Sequence, residues 1–341
     1  MNQEITFLGR SLEEEGMTYF NWTCSGFQFA FEANKVEAEL FAVYAEENGE
    51  VLTPFLAVFL DDMEQPYQII ELKEGKHWYL LYEGSVSPHR IRVIKRTEAQ
   101  HAKNALVQVK AEGGSLSLWP REETLKLEFI GDSITCGFGN ESSCPEDGFL
   151  ARQENGWEAY AAKTARKLHA QFHIIGVSGI GVYSSYTDVE KRNTQLLMGE
   201  VYGCTDYFVS PKEAWDFKRY RPDAIVICLG TNDFSYVQYH QEAYAPGFQK
   251  SYYELLQLVR LKNGPQPYIL CCLGVMGEGL NEKTEEVVRA FRKETGDDRI
   301  QMLSLTEQRP EDGRGGCFHP TIRTHEKMAQ MVEKALKYWG L

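Results

Sequence analysis

The chain has 341 residues, more than one typical core holds, so one large or two medium domains are expected. Its formal net charge of −13 argues against nucleic acid or an anionic membrane as a partner. Hydrophobic residues make up 43% of the chain and aromatic residues 12%, as expected of a packed globular protein. No stretch approaches the ~20 apolar residues that a membrane-spanning helix needs.

The N-terminus and the cysteines both favour a cytoplasmic protein. Residues 1–5 lack the basic region and apolar core of a secretory signal. None of the eight cysteines forms a C-x-x-C pair, and a disulfide framework is not expected at this chain length. Because no Cys/His cluster has the spacing of zinc ligands, no metal is predicted either.

Residues 1–121 have the pattern of a β domain. Phe27, Phe29 and Phe31 alternate with more polar neighbours, and other short runs follow with Gly, Asn and Asp between them. Period-2 alternation at short spacing predicts an all-β antiparallel sandwich, for which a jelly-roll topology is one that fits. The runs are 27–31, 36–42, 55–60, 67–70, 78–81, 90–93 and 106–109.

Residues 122–341 alternate between strand and helix patterns. Nearly continuous apolar runs predict parallel strands covered on both faces, and helical stripes lie between them. This alternation predicts a three-layer α/β domain with a mainly parallel sheet. The predicted strands are 125–130, 172–177, 224–229, 268–272 and 299–305.

Ser133 is the first candidate for chemistry, in Gly131-Asp132-Ser133 directly after the strand 125–130. An open α/β sheet binds its ligands at the carboxyl ends of its strands. A serine needs a base and a site for negative charge before it can act as a nucleophile. The alternative is that Ser133 only caps a helix and takes no part in chemistry.

Two further strand ends carry groups that can hold an anion. Asn232 follows Gly230 after the strand 224–229, and its side-chain amide can donate to an oxyanion. Gly179 follows the strand 172–177, and its N–H can approach a ligand closely, with Gly181 as the competing choice. The alternative role of Asn232 is an Asx turn, and that of Gly179 is an ordinary loop glycine.

His319 is the candidate base. It precedes Pro320, which suits the first turn of the last helix. A neutral imidazole can take the serine proton and return it to the leaving group. His325 and His240 are the rival histidines.

Together, Gly131-Asp132-Ser133, Gly179, Gly230-Thr231-Asn232-Asp233 and His319 resemble the SGNH/GDSL hydrolase superfamily. The block 128–139 and the two-domain layout are closer to carbohydrate esterase family 2, the acetylxylan esterase-like enzymes. The resemblance implies a flavodoxin-like sheet and no metal or organic cofactor. It implies Ser133 as nucleophile and His319 as base, with an oxyanion hole of the Ser133 N–H, the Gly179 N–H and the Asn232 side chain.

The chain departs from the superfamily near the histidine. Members often carry an aspartate two residues before it, where this chain has Cys317. A neutral cysteine cannot stabilise an imidazolium as a carboxylate does. Either a main-chain carbonyl orients His319 in a Ser-His dyad, which is favoured, or Asp312 or Glu311 turns in from the same glycine-rich loop.

Aromatic side chains near these loops are candidates for a sugar platform, because apolar sugar faces stack on rings. Phe318, Trp215 and Tyr186 are the predicted substrate contacts, and Tyr183 is a further candidate. Trp157 lies on a helical stripe and is expected in the core.

The sequence therefore predicts a serine esterase that removes O-acetyl groups from carbohydrate, such as acetylated xylo- or manno-oligosaccharides, through an acyl-enzyme. Two alternatives stay open: a lipase or acyl-thioesterase on the same fold, and a catalytically silent carbohydrate-binding protein. The β domain is expected to brace the site or to bind carbohydrate. Neither the sugar nor the oligomeric state can be identified from the sequence, so a homo-oligomer stays open.

Overall fold

The computed structural model describes residues 3–47, 50–208, 210–277 and 279–341. The chain divides into two compact units. The first comprises Met1–Glu122 with Thr205–Glu213, and the second comprises Glu123–Cys204 with Ala214–Leu341. The boundary predicted between residues 121 and 122 differs by one residue. The segment 205–213 belongs to the first unit, although no pattern in the sequence indicated it.

The first unit is an antiparallel β domain, as predicted. Its sheet has the strand order β2-β3-β9-β4-β8-β6-β7, and β1, β5 and β10 pair with β4. The strands are β1 Thr6–Leu8, β2 Leu12–Glu14, β3 Met17–Tyr19, β4 Gly26–Glu47, β5 Glu50–Leu52, β6 Phe55–Leu60, β7 Gln68–Glu71, β8 Gly75–Lys95, β9 Ala102–Glu112 and β10 Ser115–Ser117.

Strand β4 is longer than the sequence pattern predicted. The runs 27–31 and 36–42 form one continuous strand, β4, of 22 residues. A register shift between Ala33 and Lys35 separates its halves. The buried apolar positions are odd-numbered before this shift and even-numbered after it. The apolar side chains of both halves belong to one buried cluster in spite of this change, which explains why the sequence resembled two strands.

One hydrophobic core fills this domain. Phe27 and Phe29, from the first half of β4, and Leu40, from its second half, belong to the same buried cluster. Ile91 of β8 and Leu106 of β9 belong to it as well. Both halves of the long strand β4 therefore contribute to the same core. The predicted all-β domain is thus confirmed.

The second unit is a parallel α/β domain, which confirms the predicted fold. Within the described part of the chain, five parallel strands pair in the order β12-β11-β15-β16-β17, the order of flavodoxin-like sheets. Its strands are β11 Lys126–Gly131, β12 Gln171–Gly176, β15 Ala224–Cys228, β16 Tyr268–Leu273 and β17 Ile300–Ser304. A small antiparallel pair, β13 Cys204–Tyr207 and β14 Pro211–Ala214, interrupts the series.

Helices connect the parallel strands. None of the described helices is long and apolar enough to cross a membrane. The helices are α1 Ser133–Cys136, α2 Tyr160–Lys167, α3 Met198–Val201, α4 Thr231–Val237, α5 Gln241–Asn263, α6 Asn281–Thr295 and α7 Ile322–Tyr338, and short 3-10 turns occur at Ala99–His101, Ala151–Gln153, Gly156–Glu158, Pro310–Asp312 and Gly316–Phe318.

The sheet brings three of the sequence motifs to one edge. Strand β11 lies between β12 and β15, so the strand order reverses there: β12 is added on one side of β11, and β15 and the later strands on the other. Ser133 follows β11, Gly179 follows β12 and Asn232 follows β15. Open α/β sheets bind ligands in the crevice at such a switch point, so topology alone places these three residues around a single crevice.

We predict that Phe29→Ala lowers the free energy of unfolding by about 3–5 kcal/mol, because the deleted ring leaves a cavity in a closely packed core. Phe29 is fully buried and stacks on Phe27 with ring centroids 6.3 Å apart. Urea denaturation followed by circular dichroism measures the loss. Ile69→Ala is the control, since Ile69 is 50% exposed. Equal losses in both variants would contradict the assignment of the core.

Candidate active site

Ser133 lies where β11 turns into α1. Asp132 caps this short helix, its carboxylate accepting the Ile134 N–H at 3.0 Å. A Cβ atom on Gly131 would lie 1.9 Å from the Thr135 side-chain oxygen, so only glycine fits the turn. The Ser133 Oγ atom is 2.8 Å from Nε2 of His319. The structure thus brings the predicted hydroxyl and imidazole into direct hydrogen-bond contact.

The hydrogen bonds on the other side of the ring fix the tautomer of His319. Its Nδ1 atom is 3.0 Å from the Cys317 carbonyl oxygen and 3.2 Å from the Gly316 carbonyl oxygen. A carbonyl can only accept, so Nδ1 carries the proton. Nε2 is then left with a lone pair that faces the Ser133 hydroxyl. This arrangement is the one required for the imidazole to accept the serine proton.

The segment before His319 has an unusual backbone. Cys317 and Phe318 have φ angles of 49° and 60°, in the left-handed region that non-glycine residues seldom adopt. Such residues cost about 1–3 kcal/mol each and persist only where surrounding bonds hold them. The Cys317 N–H donates to the Asp147 carbonyl at 3.0 Å, and Gln308 donates to the Phe318 carbonyl at 2.9 Å. The strained turn directs two carbonyls at one imidazole nitrogen.

The alternative that Asp312 orients the ring is corrected by the structure. The Asp312 carboxylate pairs with the Lys327 ammonium at 2.5 Å. Glu311 pairs with Arg309 at 3.6 Å. Both acidic groups are therefore engaged by cations, and carbonyls occupy the Nδ1 side of His319. The expected helix start is also shifted, because Thr321 caps α7 and Pro320 precedes the cap.

The environment of His319 is apolar on one side. Its ring centroid is 4.5 Å from that of Phe138, and Phe138 packs in turn on Phe149 with centroids 4.7 Å apart. Burial lowers the pKa of His319 below its usual value near 6.5, against an opposite effect of the two carbonyls. The ring is therefore neutral at neutral pH, the form that accepts a proton.

The loop after β12 distinguishes its two glycines. Gly179 has a φ of +78°, and its carbonyl accepts the Tyr186 N–H at 2.8 Å. The Gly181 N–H donates to the Ser185 hydroxyl at 3.2 Å. Since the Gly181 N–H is already used within the loop, Gly179 is the better of the two candidates for an oxyanion donor.

Asn232 is held in place at the start of α4. Its side-chain nitrogen donates to the Ile180 carbonyl at 3.0 Å and to the Asp132 carboxylate at 3.2 Å. Both of its N–H bonds thus have acceptors from the neighbouring strand ends. These contacts connect the loops that follow all three strands of the switch point.

The sequence reasoning missed Asp233, the residue next to Asn232. Its carboxylate accepts the N–H groups of Val182, Tyr183 and Ser184 at 2.7–3.1 Å. Burial raises its pKa to about 6. A signal was available, since Asp233 shares the strand-end motif with Asn232, but the motif does not reveal which backbone groups lie opposite.

The predicted aromatic contacts have different surroundings. Phe318 is 46% exposed and Tyr186 is 59% exposed, so both can meet a ligand. The prediction for Trp215 is corrected, because its ring is buried against His173, with centroids 5.9 Å apart, and Arg219 lies over it. A covered ring cannot stack on a sugar. Trp157 is buried, as expected of a core residue.

The other candidate side chains are engaged elsewhere. Arg192 lies over the Tyr183 ring at 3.9 Å. The rival histidine His325 is fully buried and its Nδ1 accepts the Tyr160 N–H. His240 pairs with Glu190 at 2.6 Å.

Comparison with known sequences decides the family. A family model described as GDSL-like lipase/acylhydrolase matches residues 129–327, more than half of the chain. The chain belongs to the GDSL-like lipase/acylhydrolase family. The N-terminal domain of carbohydrate esterase family 2 matches residues 7–120. The resemblance stated from the motifs is thereby confirmed for both halves.

Curated relatives of this family member are esterases by name. Cellulase/esterase CelE of Acetivibrio thermocellus is 35% identical over 73% of this chain. The match spans only 30% of the length of CelE. An acetylxylan esterase / glucomannan deacetylase of Cellvibrio japonicus is 26% identical over 76% of this chain and 72% of its own length.

Solved structures of family two carbohydrate esterases have the same architecture. That of a Clostridium thermocellum enzyme, in complex with cellohexaose, has a TM-score of 0.87 at 29% identity and covers 98% of both chains. An acetyl xylan esterase of Butyrivibrio proteoclasticus, at 20% identity, has a TM-score of 0.88 and covers 99% of this chain and 96% of its own. This second likeness supports the fold alone.

We predict that the His319 ring titrates below 6.5 in the folded protein, because burial disfavours its cationic form. Histidine ring signals followed by NMR between pH 4 and 8 measure the pKa, and His319→Gln assigns the signal. The sign follows from linkage: a lowered pKa makes His319 contribute a loss of stability as pH falls through 6.5. A His319 pKa at or above 6.5 would contradict the burial of the ring.

Proposed function

We propose that the protein is a carbohydrate esterase that removes O-acetyl groups from xylo- or manno-oligosaccharides by a Ser-His dyad. The 2.8 Å contact between Ser133 Oγ and His319 Nε2, at the switch point of an acylhydrolase sheet, is the observation that carries the proposal. The names of the relatives support the substrate class, since they include acetylxylan esterase and glucomannan deacetylase.

The first half of the reaction forms an acetyl-enzyme. Ser133 Oγ attacks the acetyl carbonyl while its proton moves to Nε2 of His319. The imidazolium that forms is stabilised by the carbonyls of Cys317 and Gly316, which accept from Nδ1. The same proton then passes to the sugar oxygen as the ester bond breaks. The sugar leaves with a free hydroxyl and the acetyl group stays on Ser133.

The second half releases acetate. His319, neutral again, takes a proton from water, and the resulting hydroxide attacks the acetyl carbonyl. The proton returns to Ser133 Oγ as acetate departs. Because burial lowers the His319 pKa, the base is neutral at neutral pH. That no cofactor takes part stays a prediction.

The oxyanion of each tetrahedral intermediate is assigned to three donors: the Ser133 N–H, the Gly179 N–H and the Asn232 side chain. Main-chain donors fixed before the reaction stabilise developing charge without reorganising. For Asn232 we assign the N–H that faces Asp132, which exchanges the Asp132 carboxylate for the oxyanion, because that bond, at 3.2 Å, is longer than the 3.0 Å bond to Ile180. The other N–H keeps the side chain in place.

Exposed rings next to these groups are suited to sugar. Phe318 directly precedes His319, and the Tyr186 backbone N–H donates to the Gly179 carbonyl at 2.8 Å. Apolar sugar faces stack on such rings. A silent carbohydrate-binding protein is the second candidate, favoured by one observation, the cellohexaose bound to a related esterase. The cytoplasmic location and a homo-oligomeric state stay predictions.

We expect Ser133→Ala to abolish acetate release, at least about 10⁴-fold, because no other group forms the acetyl-enzyme. Acetate released from acetylated xylo- and manno-oligosaccharides measures the loss. Affinity for the oligosaccharides, measured by calorimetry, should persist in the variant. If the unmutated protein releases no acetate from any acetylated sugar, the binding-protein alternative wins. Faster cleavage of long-chain than of acetyl 4-nitrophenyl esters would instead favour a lipase.

We expect Asn232→Ala to lower kcat about 10²–10³-fold with little change in KM, because an oxyanion donor acts in the transition state. The matched control is Asn263→Ala, another buried asparagine, which donates to the Tyr202 hydroxyl at 2.6 Å. An unchanged kcat in Asn232→Ala would remove Asn232 from the oxyanion hole.

A further inference from the structure

We infer that Asp233 is a positioning residue that sets the place of the 179–184 loop, which carries the Gly179 N–H, for oxyanion binding. This inference rests on the proposed esterase function. It concerns a side chain that contacts the loop backbone and not the reacting atoms.

Three consecutive backbone N–H groups converge on this one carboxylate. Tyr183 donates to Oδ1 at 2.7 Å and Ser184 at 2.9 Å. Val182 lies 3.1 Å from both Oδ1 and Oδ2. Successive N–H groups directed to one point form an anion-binding concavity. Here the anion is an internal carboxylate, which fixes the loop by its main chain whatever the side chains of 182–184 are.

Asn232, the residue before Asp233, holds the same loop with a hydrogen-bond donor instead of an acceptor. Asn232 donates to the Ile180 carbonyl at 3.0 Å. Two consecutive residues of α4 therefore bind one acceptor and three donors of a single short loop. Further along, the Thr187 N–H donates to the Ser235 hydroxyl at 3.0 Å, so a third α4 residue continues the attachment. Gly179 directly precedes Ile180, the first of the anchored residues, so the position of the Gly179 N–H depends on these bonds.

The loop is fitted too closely to the carboxylate for a side chain between them. A Cβ atom on Gly181 would lie 2.9 Å from Asp233 Oδ1 and 2.0 Å from the Ser184 carbonyl oxygen. Glycine at 181 is thus needed for the backbone to fold around Asp233. Gly181 is therefore required for this close approach, whereas Gly179 is assigned to oxyanion binding.

Burial of the Asp233 carboxylate opposes folding at neutral pH, and the three N–H bonds offset part of this effect. Asp233 is fully buried, and burial raises its pKa to about 6. A raised carboxyl pKa means that the ionised form is less favourable in the folded than in the unfolded state. Asp233 therefore contributes a loss of stability as pH rises from about 4 to 6, and this loss is complete at neutral pH.

The expected consequence lies in kcat and not in substrate binding. A displaced loop moves an oxyanion donor, and about 1 Å of misplacement can cost about 10²-fold. The ground-state ester does not carry the oxyanion charge, so KM depends little on that donor.

The test compares variants of the full chain on 4-nitrophenyl acetate. Asp233→Ala removes every acceptor, whereas Asp233→Asn keeps the single oxygen that can accept from three N–H groups. We expect Asp233→Ala to lower kcat about 10²-fold with KM within about threefold, and Asp233→Asn to restore kcat to within about tenfold of the unmutated protein.

The matched control is Glu128→Ala, on β11. Glu128 is also a buried carboxylate, but it accepts from the Tyr202 hydroxyl at 2.7 Å. We expect a lower Tm with kcat unchanged. Three outcomes would overturn the inference: an unchanged kcat in Asp233→Ala, equal losses in the two Asp233 variants, or a kcat loss in Glu128→Ala as large as that in Asp233→Ala.

Hydrogen–deuterium exchange keeps the inference testable if Asp233→Ala does not fold. Peptides covering 182–184 should be protected in the unmutated protein and should exchange faster in Asp233→Asn, while those covering β16 stay unchanged. Fast exchange at 182–184 in the unmutated protein would refute the anchoring. A protein that is active on no acetyl ester would refute the proposed function instead, and exchange would still decide the anchoring.

Discussion

The hydrogen bond between Ser133 Oγ and His319 Nε2 is the interaction on which the rest of the site depends. It joins residues 186 positions apart at 2.8 Å. Its direction is set from the far side of the ring, where two carbonyls leave the proton on Nδ1 and the lone pair on Nε2. No side-chain carboxylate is needed for this orientation. The left-handed backbone at Cys317 and Phe318 is the conformation that aims both carbonyls at the ring.

Two buried acids hold together the loops at the ends of three strands. Asp132 accepts from the Ile134 N–H and from Asn232, and Asp233 accepts from Val182, Tyr183 and Ser184. Each carboxylate is satisfied by backbone or amide donors, which is how a buried charge is tolerated. These bonds connect the loops that follow β11, β12 and β15 to one another.

Much of the fold could be read from the pattern of apolar residues. The parallel strands β11, β12, β15, β16 and β17 lie within two residues of the runs that predicted them, because strands covered on both faces must be apolar throughout. The β domain was harder to read. The buried apolar positions change from odd to even numbers across the register shift between Ala33 and Lys35, so one strand of 22 residues has the pattern of two. The hairpin segment 205–213 gives no sign in the sequence of the unit to which it belongs.

For the site, the sequence by itself determined the residue types and their places in the chain: Ser133, Gly179 and Asn232 after strands, and His319 before the last helix. These follow from local patterns, since a glycine-bounded polar motif after an apolar run needs no knowledge of the rest of the chain. Only the tertiary structure decided the partners. It engaged Asp312 with Lys327, buried Trp215 and turned Asp233 onto a loop 50 residues away. Partner choice depends on where distant backbone atoms lie, and no local pattern encodes that distance.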